Sequence, residues 1–156
     1  MALVRILVDG YSLLHRWPAL APGMPRHSAA AREALTTRLR EYRAATHTPI
    51  TVFFDGQGAP AGTPKPLSDP NLEVLYSRSG RTADDLIERA AYRFRAYGDV
   101  LVITDDYAER DTVAAFGGLV SSCEMFIRQV ESVLDEAADD LHRYNRQERN
   151  RFRSGS

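Results

Sequence analysis

Asp9 closes the run Leu3-Val4-Arg5-Ile6-Leu7-Val8 and is followed by Gly10. A carboxylate straight after a buried strand, with a glycine that lets the backbone turn, has few structural uses and stands where α/β sheets bind ligands, outside the carboxyl ends of the strands. Three further segments bring acids to the same kind of place. Asp55 follows Ile50–Phe54, Asp84 and Asp85 open a helical stretch after Leu72–Tyr76, and Asp105 and Asp106 follow Val100–Thr104. Carboxylates gathered at one rim repel each other. A hard divalent cation, Mg²⁺ or Mn²⁺, relieves that repulsion and prefers oxygen ligands. Water attack on a phosphodiester, with the cation offsetting phosphate charge, is the chemistry such a rim supports, rather than acyl transfer. Taken singly, most of these acids also have a structural use. Asp84 and Asp85 suit a helix start, Asp105 or Asp106 suits an N-cap, and Asp55-Gly56 suits a turn.

The elements that must position them alternate. Leu3–Val8 and Ile50–Phe54 read as strands buried on both faces, and Leu72–Tyr76, Val100–Ile103 and the brief Leu119-Val120 as further strands. Ser28 caps a predicted helix to about Ala45, with Leu35, Leu39 and Tyr42 on its apolar side. Thr82-Ala83-Asp84-Asp85 has the pattern of a capping box, and Gly98 marks the end of that helix. A fourth strand leads to a helix capped by Asp105 or Asp106 and closed by Gly117-Gly118. Ser121 or Ser122 caps the last helix, with Glu124 in capping-box position to Ser121 and a stripe of Phe126, Val130, Val133, Leu134, Ala137 and Leu141. Gly56 to Pro70 is rich in glycine and proline and reads as a long loop. The pattern predicts an α/β fold of three layers, with a mostly parallel sheet of about five strands and helices on both faces.

Composition sets bounds. The chain has 156 residues, 44% hydrophobic and 26% charged, with net charge −1 and one cysteine. That suits one soluble domain without a disulfide, predicted over residues 1–142, with an arginine-rich tail over 143–156 that is exposed or disordered. No apolar run approaches the roughly 20 residues of a membrane span, and the start lacks the pattern of a signal peptide, so a cytoplasmic protein is expected.

Several of these segments resemble, in order, the YacP-like NYN domains. Ile6-Leu7-Val8-Asp9-Gly10-Tyr11-Ser12 resembles the V-D-G-Y-N opening of that family, and Val52-Phe53-Phe54-Asp55 its V-x-F-D. Thr82-Ala83-Asp84-Asp85-Leu86-Ile87-Glu88 resembles T-A-D-x-x-I-E, Val102-Ile103-Thr104-Asp105-Asp106 resembles V-T-S-D, and Gly117 to Ser122 the step into the last helix. The resemblance spans roughly residues 3 to 135. It implies a PIN-like fold and a metal-dependent endoribonuclease acting on single-stranded RNA or mRNA, with the ribosome as a partner of some relatives. By carry-over, Asp9, Asp84 and Asp106 are catalytic. Asp9, Asp55, Asp84 and Asp106 are metal ligands or their supports, with Asp85 and Asp105 as neighbours that substitute or cap. Ser12, Arg78, Arg81 and Ser122 are the candidates for substrate contact. Ser12 departs from the family asparagine, a change that bears on substrate positioning and turnover.

The tail from Arg143 to Arg153 holds five arginines, one glutamate, Tyr144 and Phe152. Arginine with aromatics suits RNA; a solvated helix end is the plainer reading. Trp17 can stack a base or pack the loop after Asp9, and His15 has no identifiable partner. A phosphatase of the haloacid-dehalogenase type would need D-x-D, and position 11 is Tyr11. No G-x-G-x-x-G follows the first strand, which disfavours a dinucleotide. The non-enzymatic alternative is an RNA- or ribosome-binding module that retains the acidic pocket.

Overall fold

The computed structural model describes residues 3–56, 72–78 and 81–154; the expected long loop lies almost wholly outside them. Five strands form one sheet: β1 Leu3–Asp9, β2 Ile50–Phe54, β3 Leu72–Tyr76, β4 Asp99–Ile103 and β5 Leu119–Ser121. They run parallel in the order β3-β2-β1-β4-β5. The chain leaves β1 towards one edge and returns through β4 towards the other, so the crevice between β1 and β4 is the switch point where such sheets bind ligands.

Strand side chains alternate between two cores, as the two-residue period requires. Ile6, Val8, Val52, Phe54 and Ile103 face α1 Gly10–Arg16, α2 Ala29–Thr46 and α5 Cys123–Ser154. Leu7, Phe53, Val100 and Val102 face α3 Ala83–Phe94 and α4 Tyr107–Ala115. Both faces are covered, which is why the strands read as continuous apolar runs rather than alternating ones.

The structure departs from the sequence reading at three places. The segment after Asp9 is not a loop but the seven-residue helix α1, with Asp9 as its N-cap. Gly10 leaves room there for the buried Phe54 ring, which a Cβ at this position would meet at 2.3 Å. α3 stops at Phe94 and a 3-10 turn over Arg95–Tyr97 carries the chain to Gly98. The last helix starts on Ser122, whose Oγ accepts from Met125 N at 3.2 Å; Glu124 forms no capping box with Ser121 and pairs with Arg128 at 2.9 Å. The arginine-rich stretch Arg143–Arg153 is the last part of α5. No helix among the described residues is long and apolar enough to cross a membrane.

Candidate metal centre

Each acid at the rim is placed by a local rule. β1 ends on Asp9, and its carboxylate stays to accept from the backbone N–H of Ser12 at 3.3 Å. The Ser12 side chain also favours the charged form of this carboxylate. Ser12 thus orients Asp9, one of the tasks open to the family asparagine. Thr82 caps α3: its Oγ1 accepts from Asp85 N, and the Asp85 carboxylate accepts from Thr82 N. Asp85 is thereby committed to the helix end, while Asp84, one residue earlier, is left to face the crevice. Asp106 caps α4, accepting from Ala108 N at 2.9 Å and Glu109 N at 3.4 Å.

Three carboxylates converge. Asp9, Asp84 and Glu109 each offer an oxygen, and the three oxygens lie within 4.8 Å of one another. Glu109 is 2% exposed. Its Oε2 accepts from Thr104 Oγ1 at 2.9 Å, and its Oε1 is buried with no donor. A buried carboxylate oxygen without a donor carries the full desolvation cost unless a proton or a cation meets it.

The electrostatics follow. Burial is the main cause that lifts the Asp9 carboxyl from 3.8 to about 6; Ser12 opposes the lift and the charge of Asp84 adds to it. Burial also pushes Glu109 well above the carboxylate range, helped by the charges of Asp84 and Asp9. On α3, Glu88 is raised in the same direction, by burial and then by Asp85, Asp84 and Asp106. The crevice therefore favours added positive charge. Its donors are all carboxylate oxygens, which fits a hard divalent cation.

The other predicted residues stand around this centre. Asp55 accepts from Ser77 Oγ at 3.3 Å, linking the ends of β2 and β3. Asp106 contributes charge to the rim but its carboxylate is engaged in the cap, outside the three-carboxylate group. Asp105 accepts from Cys123 N at 2.9 Å and pairs with Arg16 at 2.8 Å, tying α5 and α1 to the loop after β4. Replacing it by alanine strands the first amide of α5 and is expected to cost about 1–2 kcal/mol. Thermal unfolding of Asp105→Ala against Asp105→Asn checks this, because asparagine can still accept from Cys123. Arg78 and Arg81 are exposed beside the start of α3, and Ser122 serves as the α5 cap. Tyr11 is buried against Phe54, with its ring centroid 4.9 Å from that ring.

Glu109 is the residue that sequence reasoning missed. It stands three positions after Asp106, where a glutamate reads as a capping-box partner. The available signal was its spacing of four from Val113, which puts a glutamate on the buried stripe of α4. Cys123 sits close by, fully buried, and its thiol is pushed up to about 12 by burial and by the charges of Asp105 and Asp9.

Comparison with known proteins agrees with this architecture. The family model for the YacP-like NYN domain matches residues 6–155. YacP of Bacillus subtilis (strain 168) is 30% identical over 129 residues, covering 82% of this chain and 75% of that protein. The crystal structure of Rae1 (YacP) from Bacillus subtilis superposes with a TM-score of 0.78 at 25% identity, covering 96% of this chain and 85% of that one. A single-substitution mutant of the same protein gives 0.76 at 26% identity, covering 92% and 84%. With the matched model running from the middle of β1 into the last residues of the chain, and an ordered relative of the same topology, the chain belongs to the YacP-like NYN domain family.

Proposed function

We propose that this protein is a metal-dependent endoribonuclease that cleaves single-stranded RNA or mRNA in the cytoplasm, with Asp9, Asp84 and Glu109 as the residues that hold Mg²⁺ or Mn²⁺. The observation that carries this reading is the convergence of the three carboxylates around a buried Glu109 oxygen that has no donor. Family membership supports a nuclease, and the oxygen-only donor set supports a hard cation. A bound cation would supply positive charge against the phosphate during cleavage. The residues of the chain do the rest. Thr104 holds one oxygen of Glu109, Ser12 turns Asp9 into the crevice, and the Thr82 cap fixes the first turn of α3 from which Asp84 projects. Asp106, with Asp55 and the neighbours Asp85 and Asp105, forms a supporting ring of charge and caps. Arg78 and Arg81, exposed beside the mouth, are suited to hold the phosphate backbone. Association with the ribosome is a further part of the proposal.

The deciding experiment is cleavage of a labelled single-stranded RNA by wild type and Asp84→Asn in Mn²⁺, Mg²⁺ or EDTA. Wild type should cut with a divalent metal only, and the variant should lose at least about tenfold, since a lost ligand weakens metal affinity at least as much as a lost supporting contact. Metal-independent cutting, or a fully active variant, would reject the metal centre. RNA binding without cleavage under every metal would leave a binding module in place of an enzyme.

A further inference from the structure

The last buried side chains of α5 lie in its first turns: Cys123, Phe126 and Val130, with Val133 and Leu134 half-buried. From Asp135 to Arg153 every side chain is exposed except that of Glu148, which is half-buried. The helix nevertheless continues to Ser154. Twenty residues of α-helix, roughly 30 Å at 1.5 Å per residue, thus project beyond the core as an arm.

The arm is polar in one direction. Residues 143–153 carry five arginines and one glutamate, a charge of +4 on a chain whose net charge is −1, so the remainder carries −5. At 3.6 residues per turn, Arg143, Arg146, Arg149 and Arg153 fall within an arc of about 120°. The side chains of Arg146, Arg149, Asn150 and Arg153 bound an open recess of about 310 Å³. Tyr144 and Phe152 are exposed as well, 59% and 80% accessible, but point to the other side of the helix. A row of guanidinium groups along one side of a helix matches the phosphates of a nucleic-acid strand.

Position makes this surface separate from the metal centre. Cys123 is bonded to Asp105 and close enough to Asp9 to feel its charge. Arg143 and Arg153 lie 20 and 30 residues further along the same helix, which places them about 30 to 45 Å away along its axis. An acidic body whose crevice gathers carboxylates repels a polyanion. The arm gathers a net charge of +4 and attracts one. We propose that the arginine stripe of the α5 arm is a distal anchor for RNA phosphates, so that RNA long enough to reach from crevice to arm is held at two places. The inference rests on the reading of RNA as substrate. At 3.4 Å per stacked nucleotide, the span corresponds to roughly 9 to 13 nucleotides.

The test compares wild type with a triple variant, Arg146→Glu with Arg149→Glu and Arg153→Glu, and with the chain truncated after His142. Binding is measured in EDTA, so that nothing is cut, with single-stranded RNAs of about 30 and about 6 nucleotides, one longer and one shorter than the span. The long RNA should bind both variants at least about tenfold more weakly than wild type. Its dependence of log affinity on log salt should flatten by about 2, three single-strand phosphate contacts at 0.7 each. The short RNA can touch the arm or the crevice but not both, so wild type should bind it more weakly than the long RNA, and the variants should narrow that difference. Unchanged affinity and salt dependence for the long RNA would overturn the proposal. So would a wild-type dimer, seen by sedimentation, that the variants dissociate without any change in RNA binding, since the arm would then serve a second copy of the chain. Tight arm-dependent RNA binding without cleavage in any metal would remove the nuclease reading and leave the anchor standing.

Discussion

Glu109→Gln is expected to lower metal-dependent RNA cleavage by roughly a hundredfold, about 3 kcal/mol of transition-state stabilisation, and at the same time to raise the melting temperature of the metal-free protein. The two effects have one origin. Glu109 is buried among like charges, and one of its oxygens has no donor. Glutamine keeps the size, can still accept from Thr104 and is neutral without a proton, whereas burial makes folded Glu109 hold near neutral pH a proton that the unfolded chain gives up. A gain of about 2 kcal/mol near neutral pH follows from removing this cost of proton uptake on folding, and corresponds to a rise of roughly 5 °C in a domain of this size. A scanning measurement in EDTA beside a cleavage assay in Mn²⁺ reads both. A variant that loses activity and stability together would mean that Glu109 is a structural residue. One that keeps full activity would take it out of the metal centre.

The second expectation concerns pH. Asp9 titrates near 6 in the folded chain against 3.8 ordinarily, and Glu109 is displaced upward as well. Between the ordinary and the folded values the native state holds more protons than the unfolded state, so the stability of the metal-free protein falls as pH rises. The contribution of these groups is fully present below about pH 4. For Asp9 it is lost by the time pH has passed 6, and for Glu109 the loss continues above that. Each pKa unit is worth 1.36 kcal/mol, which puts the Asp9 share at about 2 kcal/mol once partial exposure is allowed for. A divalent cation reverses the trend, because it needs the carboxylates deprotonated. The melting temperature with Mg²⁺ minus that in EDTA should therefore be near zero at pH 5 and grow towards pH 8. A difference that stays constant with pH would separate the metal from these two carboxylates.

The strands were legible because a sheet covered on both faces leaves mostly apolar runs, and Ile50–Phe54 and Leu72–Tyr76 have the bounds that their residues predict. The Thr82 capping box and the Ser28 cap were legible for the same local reason: a side-chain oxygen with an orphan amide two or three residues on. Helix α1 was not. Seven residues beginning with glycine give neither a period nor a cap signal beyond Asp9, and Asp9 had already been given a chemical task. It does both, because a carboxylate has two oxygens. The rim of acids was legible as a set, whereas the division of labour within it was not. Asp106, Asp85 and Asp105 have amides to cap or bind, and only the folded geometry shows that Glu109, with no amide to serve, turns inward. The continuation of α5 past Leu141 also had no apolar stripe to announce it. Helix-forming Arg, Gln and Glu, with pairs such as Arg151–Glu148 at 3.4 Å, are compatible with a helix that nothing covers.

Cys123 turns the start of α5 into a gauge. It is the only thiol in the chain, it is fully buried, and its ionisation is pushed to about 12, so a thiol reagent at neutral pH finds neither access nor thiolate. Labelling must wait for α5 to lift from Asp105 and the sheet, a partial opening rather than global unfolding. The rate at which the native protein takes up the label then counts those openings. Cations that quieten the carboxylates beneath the thiol should slow it, without a probe ever being attached to the acids of the crevice themselves.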